Sequence, residues 1–254
     1  MQRIISKEEV LEMIKRTGFA RHKKQKGKEG DRYYLQGITV SLTSADTVQA
    51  ACTDGHRMAM WDETGRFEQN EDTVLIQEPV VEYVWSQRGR LLAVVVDPDG
   101  DALIEVRTEQ GKAKFDLDHC DPPPIHRILP ISYDFFAEGE VDTLREGLVA
   151  LKKQGFEEIF IFVEEGHIKV RGHHGKDTGE NSIVTIGEVL RSPTNPDGEG
   201  VYVGMNRRYL HECINSLPRG GDFEIRLLGE NEPVVVEDID TKHVLMPMRI
   251  TPEE

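Results

Sequence analysis

Ala51-Cys52-Thr53-Asp54-Gly55-His56-Arg57-Met58-Ala59-Met60 is the stretch on which the reading of this chain turns. Its apolar flanks read as buried strand, and the Asp-Gly pair between them supplies turn chemistry. An aspartate carboxylate bonds backbone two residues on, and glycine adopts positive φ without steric cost. A turn there exposes Asp54 and His56 together, which suits half of a catalytic dyad or metal site. A hairpin end with a satisfied aspartate is the structural alternative.

Outward from this junction, the pattern is helix followed by strands. Ser6-Lys7-Glu8-Glu9 has the form of a capping box, and Val10, Leu11, Met13 and Ile14 then recur at helical spacing until Gly18. Arg32 to Leu42 and Thr47 to Thr53 read as strands joined by Thr43 to Asp46, and Val74 to Ile76 begins another. Pro79 opens a second helix to Ser86, with Val80, Val81, Val84 and Trp85 on its core face. Leu91 to Val96 and Ala102 to Thr108 flank a turn whose glycine, Gly100, is misplaced for an EF-hand.

Asp121-Pro122-Pro123-Pro124 interrupts the order, since three prolines fit neither a helix interior nor a central strand. The plan then resumes. Thr143 and Glu146 make a second capping-box match, Leu144, Leu148 and Leu151 form the stripe, Lys152 and Lys153 suit the negative helix end, and Gly155 closes it. Ile159 to Val163 and His167 to Arg171 form a hairpin. Asn206 caps a fourth helix, with Tyr209, Leu210, Cys213, Ile214 and Leu217 inward and Pro218 ending it. Phe223 to Leu228, Pro233 to Glu237 and Val244 to Ile250 complete the strands. A helix with about three strands cannot close a core alone, so the four repeats should fuse in pairs into two similar α+β domains, 1–127 and 128–254.

Composition narrows the function. Across 254 residues the net charge is −15, which excludes a surface that coats nucleic acid throughout but leaves room for a local basic face. Lys15 to Lys28 holds seven cations and no acid. Cys52, Cys120 and Cys213 are widely spaced and form no CxxC pair, so they read as reduced, mostly buried thiols and not as a disulfide or zinc framework. With neither a membrane-length apolar run nor a signal-like apolar core, a cytoplasmic location is expected. Asp54, His56, His119, His173 and His174 share no metal-ligand or nucleophile spacing, and Gly172-His173-His174-Gly175-Lys176 lacks the glycine and hydroxyl residue of a phosphate loop. No enzyme, cofactor or metal is expected.

Three tracts taken together resemble the bacterial replicative sliding clamp, the β subunit of DNA polymerase III. They are Arg32-Tyr33-Tyr34-Leu35-Gln36-Gly37, Thr53-Asp54-Gly55-His56-Arg57-Met58-Ala59, and Val244-Leu245-Met246-Pro247-Met248-Arg249-Ile250. Arg127-Ile128-Leu129-Pro130, Asn206 with Tyr209-Leu210, and Val236-Glu237-Asp238 continue the likeness in order. The chain is similar to the second and third domains of that clamp, without the usual first.

The resemblance implies two tandem clamp domains whose helices line the interior of a six-domain ring around duplex DNA, here a homotrimer. It implies sequence-independent phosphate contacts from Lys15, Arg16, Arg21, Lys23, Lys24, Arg88, Lys152, Lys153, Arg207 and Arg208. It also implies a groove between the domains for a short peptide of polymerase, clamp loader or repair factors. By position this groove comprises Leu35, Thr53, Gly55, His56, Arg57, Met58, Pro123, Arg127, Ile128, Asn206, Tyr209, Val244, Met246, Pro247, Met248 and Arg249. On that reading Asp54 fixes the turn and its neighbours face the partner. The alternative is a monomeric adaptor or competitor that binds such peptides without encircling DNA.

Overall fold

The computed structural model describes residues 3–23, 35–42, 47–65, 67, 73–97, 103–117, 129, 133–173, 183–191 and 201–249. The chain divides into two compact units, Met1–Ile128 and Leu129–Glu254.

The first unit runs β1 (Arg3–Ser6), α1 (Lys7–Thr17), a 3-10 turn at Gly18–Ala20, then β2 (Ile38–Leu42), β3 (Val48–Thr53) and β4 (Arg57–Asp62). The same order recurs as β5 (Thr73–Ile76), α2 (Glu78–Ser86), β6 (Leu91–Asp97), β7 (Leu103–Thr108) and β8 (Gly111–Asp116). The second unit repeats it twice more. First come β9 (Phe135–Glu140), α3 (Val141–Lys153), β10 (Glu158–Glu164), β11 (His167–His173) and β12 (Ile183–Arg191). Then follow β13 (Tyr202–Asn206), α4 (Arg207–Ser216), β14 (Asp222–Leu227), β15 (Val234–Glu237) and β16 (Thr241–Leu245). The repeat is therefore strand, helix, three strands.

The first strand of each repeat is exchanged. β1 pairs with β6 of the following repeat, Ile5 opposite Val94, while β5 pairs back onto β2, Val74 opposite Val40. In the second unit β9 pairs with β14, Ala137 opposite Ile225, and β13 pairs back onto β10, Val203 opposite Ile161. All these pairings are antiparallel. A short edge strand gains its hydrogen bonds only from a partner, so neither repeat of a unit is complete without the other.

The cores form where helix stripes meet the sheets. Val10 and Met13 of α1 and Val80, Val81 and Val84 of α2 are buried with Ile5, Val40, Val94 and Val106. In the second unit Leu144, Leu148 and Leu151 of α3 and Leu210, Cys213 and Ile214 of α4 are buried, as are Ile159, Ile161, Val203 and Ile225. The helices are locally encoded. At α1 the Ser6 hydroxyl accepts from the Glu9 amide at 3.2 Å and the Glu9 carboxylate accepts from the Ser6 amide at 2.6 Å, the expected capping box. At α4 the Asn206 side chain accepts from the Arg208 amide at 2.9 Å.

Several expectations need correction. Thr143 does not cap α3, because the helix begins at Val141, and its hydroxyl donates to the Glu140 carboxylate at 2.9 Å. The helix start is held instead by the loop before β14: the Val141 amide donates to the Gly221 carbonyl, and the Gly220 amide donates to Asp142. Trp85, expected in the core, is 43% exposed. It follows Val84 by 100° around the helix and so leaves the stripe. The last strand ends at Leu245, short of the expected Ile250. Pro247 has no amide to extend a ladder, and the Met248 amide donates to the Gly204 carbonyl of β13 at 2.8 Å.

Two further expectations are narrowed. Of the expected Arg32–Leu42 strand, only Ile38–Leu42 is strand, with Leu35 to Gly37 outside it, and 31–34 fall beyond the described residues. The expected turns at 43–46 and 98–101, together with Cys120 and the prolines at 122–124, also lie outside them. No helix among the described residues is long and apolar enough to cross a membrane.

Candidate functional site

Strands β3 and β4 are held in register by Thr53 opposite Met58, so Asp54, Gly55 and His56 form the connection. The Thr53 hydroxyl and the Asp54 carboxylate close the tip. The Thr53 hydroxyl donates to the Arg57 carbonyl at 2.8 Å and accepts from the Gly55 amide at 3.1 Å. The Asp54 carboxylate accepts from the His56 amide at 2.9 Å and from the Arg57 amide at 3.1 Å. Gly55 sits at φ 89°, which a side chain would strain.

Arg57 points inward. Its Nε donates to Asp54 at 3.1 Å, its Nη2 donates to the Phe19 carbonyl at 2.9 Å, and its guanidinium lies 5.2 Å from the Phe19 ring centroid. The Arg57 side chain is 4% exposed. One buried cation thus ties the tip of the β3–β4 hairpin to the turn that follows α1. Phe19 is the residue that sequence reasoning missed, because nothing in Gly18-Phe19-Ala20 marks it as an arginine platform.

The dyad reading fails on this geometry. Asp54 accepts from two amides and a guanidinium, the work of a residue that fixes a turn. Nor is Cys52 a nucleophile: burial pushes its thiol up to about 12, so it stays protonated at neutral pH. Among the described residues, no group of three His, Cys, Asp or Glu is placed to hold a metal ion.

The residues expected to line the groove fall into two sets, one in each unit. In the first, Gly55 and His56 are exposed at the tip, while Thr53, Met58 and Leu35 are buried, the Leu35 carbonyl accepting from the His22 amide at 2.9 Å. Pro123, Arg127 and Ile128 lie outside the described residues. In the second, the chain leaves β16 at buried Val244 and Leu245 and runs beside β13 through the bond from Met248 to Gly204. Asn206 caps α4 at the end of that strand, and Tyr209 lies within the first turn. Met246 and Arg249 are exposed, and Pro247, Met248 and Tyr209 are half-buried. The structure therefore gathers Asn206, Tyr209, Val244 and Met246 to Arg249 about the β13–α4 junction.

The cations expected to meet phosphates divide more sharply. Lys23, Arg88, Lys152 and Lys153 are exposed and form no ion pair among the described residues. Lys15 and Arg208 are exposed but paired, at 3.2 Å with Glu12 and at 2.8 Å with Glu212. Such surface pairs exchange at little cost. Arg21 donates to the Gly18 carbonyl at 3.0 Å, and Lys24 lies outside the described residues. Arg16 and Arg207 do not fit the expectation. The Arg16 side chain is 6% exposed and bonds Glu12 at 2.6 Å. The Arg207 side chain is 4% exposed, and its guanidinium donates to the Phe156 carbonyl at 2.7 Å and to Glu157 at 3.2 Å. Each is bound within its own unit, and withdrawing Arg207 would take the side-chain donor from the Phe156 carbonyl.

Two exchanged helix-and-strand repeats per unit define the sliding-clamp fold. Among solved structures, the DNA polymerase III β subunit of Pseudomonas aeruginosa matches 98% of this chain and 67% of its own, with a TM-score of 0.76 at 20% identity. That of Thermotoga maritima matches 99% and 66%, with a TM-score of 0.76 at 16% identity. Among curated proteins, the chain is similar to the β sliding clamp of Pseudomonas putida, 23% identical over 94% of this chain, and to that of Caulobacter vibrioides, 27% identical over 95%. It spans 63% of the length of the Pseudomonas putida protein and 64% of the Caulobacter one. No family model matches.

Proposed function

We propose that this chain is a non-catalytic DNA sliding clamp, a processivity factor of DNA replication. It would encircle duplex DNA and tether polymerase, clamp loader and repair proteins through their short clamp-binding peptides. The observation that carries this reading is the clamp fold across 98% of the chain; the β3–β4 tip and the β13–α4 junction carry the residues that the sequence resemblance assigns to a peptide groove. The two units correspond to the clamp's second and third domains, and a ring of six such domains takes three copies. In that ring the helices face the DNA. Lys23, Arg88, Lys152 and Lys153, with Lys15 and Arg208 once released from their partners, meet phosphates without reading bases, which suits a protein that slides. Its place is the cytoplasm.

The test is topological. The protein, loaded on nicked circular DNA and passed through a gel-filtration column, is expected to co-elute with the circle and to be lost when the circle is cut to a line. A trimer in sedimentation accompanies that result. Monomer at micromolar concentration and no retention would support the adaptor reading, in which the same peptide site acts without a ring.

The peptide site has a test of its own. His56 and Met246 are exposed, so replacing both by alanine leaves each unit folded. Met246 offers a pliable apolar wall, and His56 a polar edge for a peptide backbone. Titration of the double variant with a fluorescent clamp-binding peptide is expected to show binding abolished and sedimentation unchanged. Unaltered affinity would remove the site assignment.

A further inference from the structure

Helix α2 carries an aromatic side chain for which neither the fold nor the clamp reading has a use. Trp85 is 43% exposed, and Arg88 lies over its ring with the guanidinium 5.3 Å from the centroid. The Arg88 Nη1 also donates to the Trp85 carbonyl at 3.0 Å, so the arginine is folded back to hold the indole in place. Arg90, two residues on, is exposed, and among the described residues neither arginine forms an ion pair. Glu82 shares the exposed side of the helix a turn earlier, and exposed Glu109 joins Arg90 through the bond from its amide to the Arg90 carbonyl at 3.0 Å. In a chain of net charge −15, an exposed indole beside two guanidinium groups that form no ion pair among the described residues stands out from its surroundings.

We propose that Trp85, with Arg88 and Arg90, is a stacking site for an unpaired base of single-stranded DNA. Three chemical facts select that ligand. The indole offers a π surface that any base can cover, and the adjoining guanidinium groups pair with the phosphates on either side of it. A duplex hides its base faces inside the stack, so this surface takes a base only where the strand is single. Finally, an apolar partner helix would gain nothing from two flanking cations, whereas a polyanion gains from both. The site goes beyond the proposed clamp, whose ring contacts require phosphates alone, and it does not depend on ring closure.

Trp85 reports on itself. The chain has two tryptophans, and the other, Trp61, is 4% exposed. Oligothymidylate of about 15 nucleotides is the probe. It is expected to quench the exposed emission, and a blunt duplex of equal length is expected to leave it largely unchanged. W85L should weaken oligothymidylate binding about fivefold to a hundredfold with the salt dependence unaltered. W85F, which keeps a ring, should recover part of the loss. R88A should instead lower the salt slope by about one.

Wild-type affinity in W85L, or equal quenching by the blunt duplex, would overturn the proposal. So would quenching by a clamp-binding peptide where oligothymidylate gives none, since that would assign the face to a protein partner. Failure of the clamp reading looks different: retention on circular DNA is lost while the quenching by oligothymidylate persists.

Discussion

Replacing Arg57 by alanine is expected to remove about 3–5 kcal/mol from the stability of the first unit, the range for breaking a buried ion pair from one side. The substitution leaves Asp54, whose side chain is 13% exposed, without its cation, and leaves the Phe19 carbonyl without its donor. It also empties the space between the β3–β4 tip and the turn after α1. Urea unfolding followed through the emission of Trp61, buried in β4, reads the loss as a shift in midpoint. Arg57→Lys should recover only part, because one ammonium cannot reach both the carboxylate and the carbonyl in the arginine's geometry. An unfolding free energy within about 0.5 kcal/mol of the parent would show that this buried tie adds nothing to stability.

The second large effect belongs to Gly187 in β12. A Cβ there would lie 1.9 Å from the Glu138 carbonyl oxygen of β9, a backbone atom that cannot step aside. This is the seam of the second unit. β12 pairs with β9 at Val189 opposite Ala137, and the same Ala137 faces Ile225 of β14 on the other side. Gly187→Ala is therefore expected to cost about 3 kcal/mol or more, by forcing β9 away from β12. Gly229→Ala, whose new Cβ would meet only the Glu232 side chain at 3.8 Å, is the control and should be near neutral. Calorimetry on the two variants checks the contrast, and equal transitions would mean that the seam accommodates a methyl group.

What was legible in the sequence follows from how local each signal is. The helices declared themselves through their stripes, and α1 through Ser6 and Glu9, whose partners lie within one turn. The T-x-x-E pattern at Thr143 misled because the same residues suit a polar helix face, and the true start is held by Gly220 and Gly221, which lie far along the chain. β1, β9 and β13 went unread for a related reason. Each runs straight into its helix with no turn residue between, and each takes a ladder from a strand of the other repeat, β9 pairing with β12 of its own as well. β8, Gly-Lys-Ala-Lys-Phe-Asp, is too polar to announce itself as strand.

At the candidate site, the sequence showed where the turn lies but not which way its side chains face. Arg57 resembled a polar edge, and only its contact with Phe19, in a different element, shows it to be an internal tie. Trp85 illustrates the opposite error: an apolar residue beside a stripe was assigned to the core, although one step around a helix is enough to leave it.

The exchange of first strands also has a consequence for synthesis. As the chain leaves the ribosome, β1 emerges well before β6 and finds no ladder partner until Ala93 and the residues after it have been added, because its ladder lies on β6. β9 differs, since it meets β12 of its own repeat first and gains β14 only when the fourth repeat follows. The β2–β3–β4 ladders can form within the first repeat, but β1 stays unpaired until the second repeat supplies β6, and the nascent chain carries that open strand throughout the interval. The smallest piece that can be moved, fused or expressed is the pair of repeats, and a cut between α1 and β6 would strand both halves.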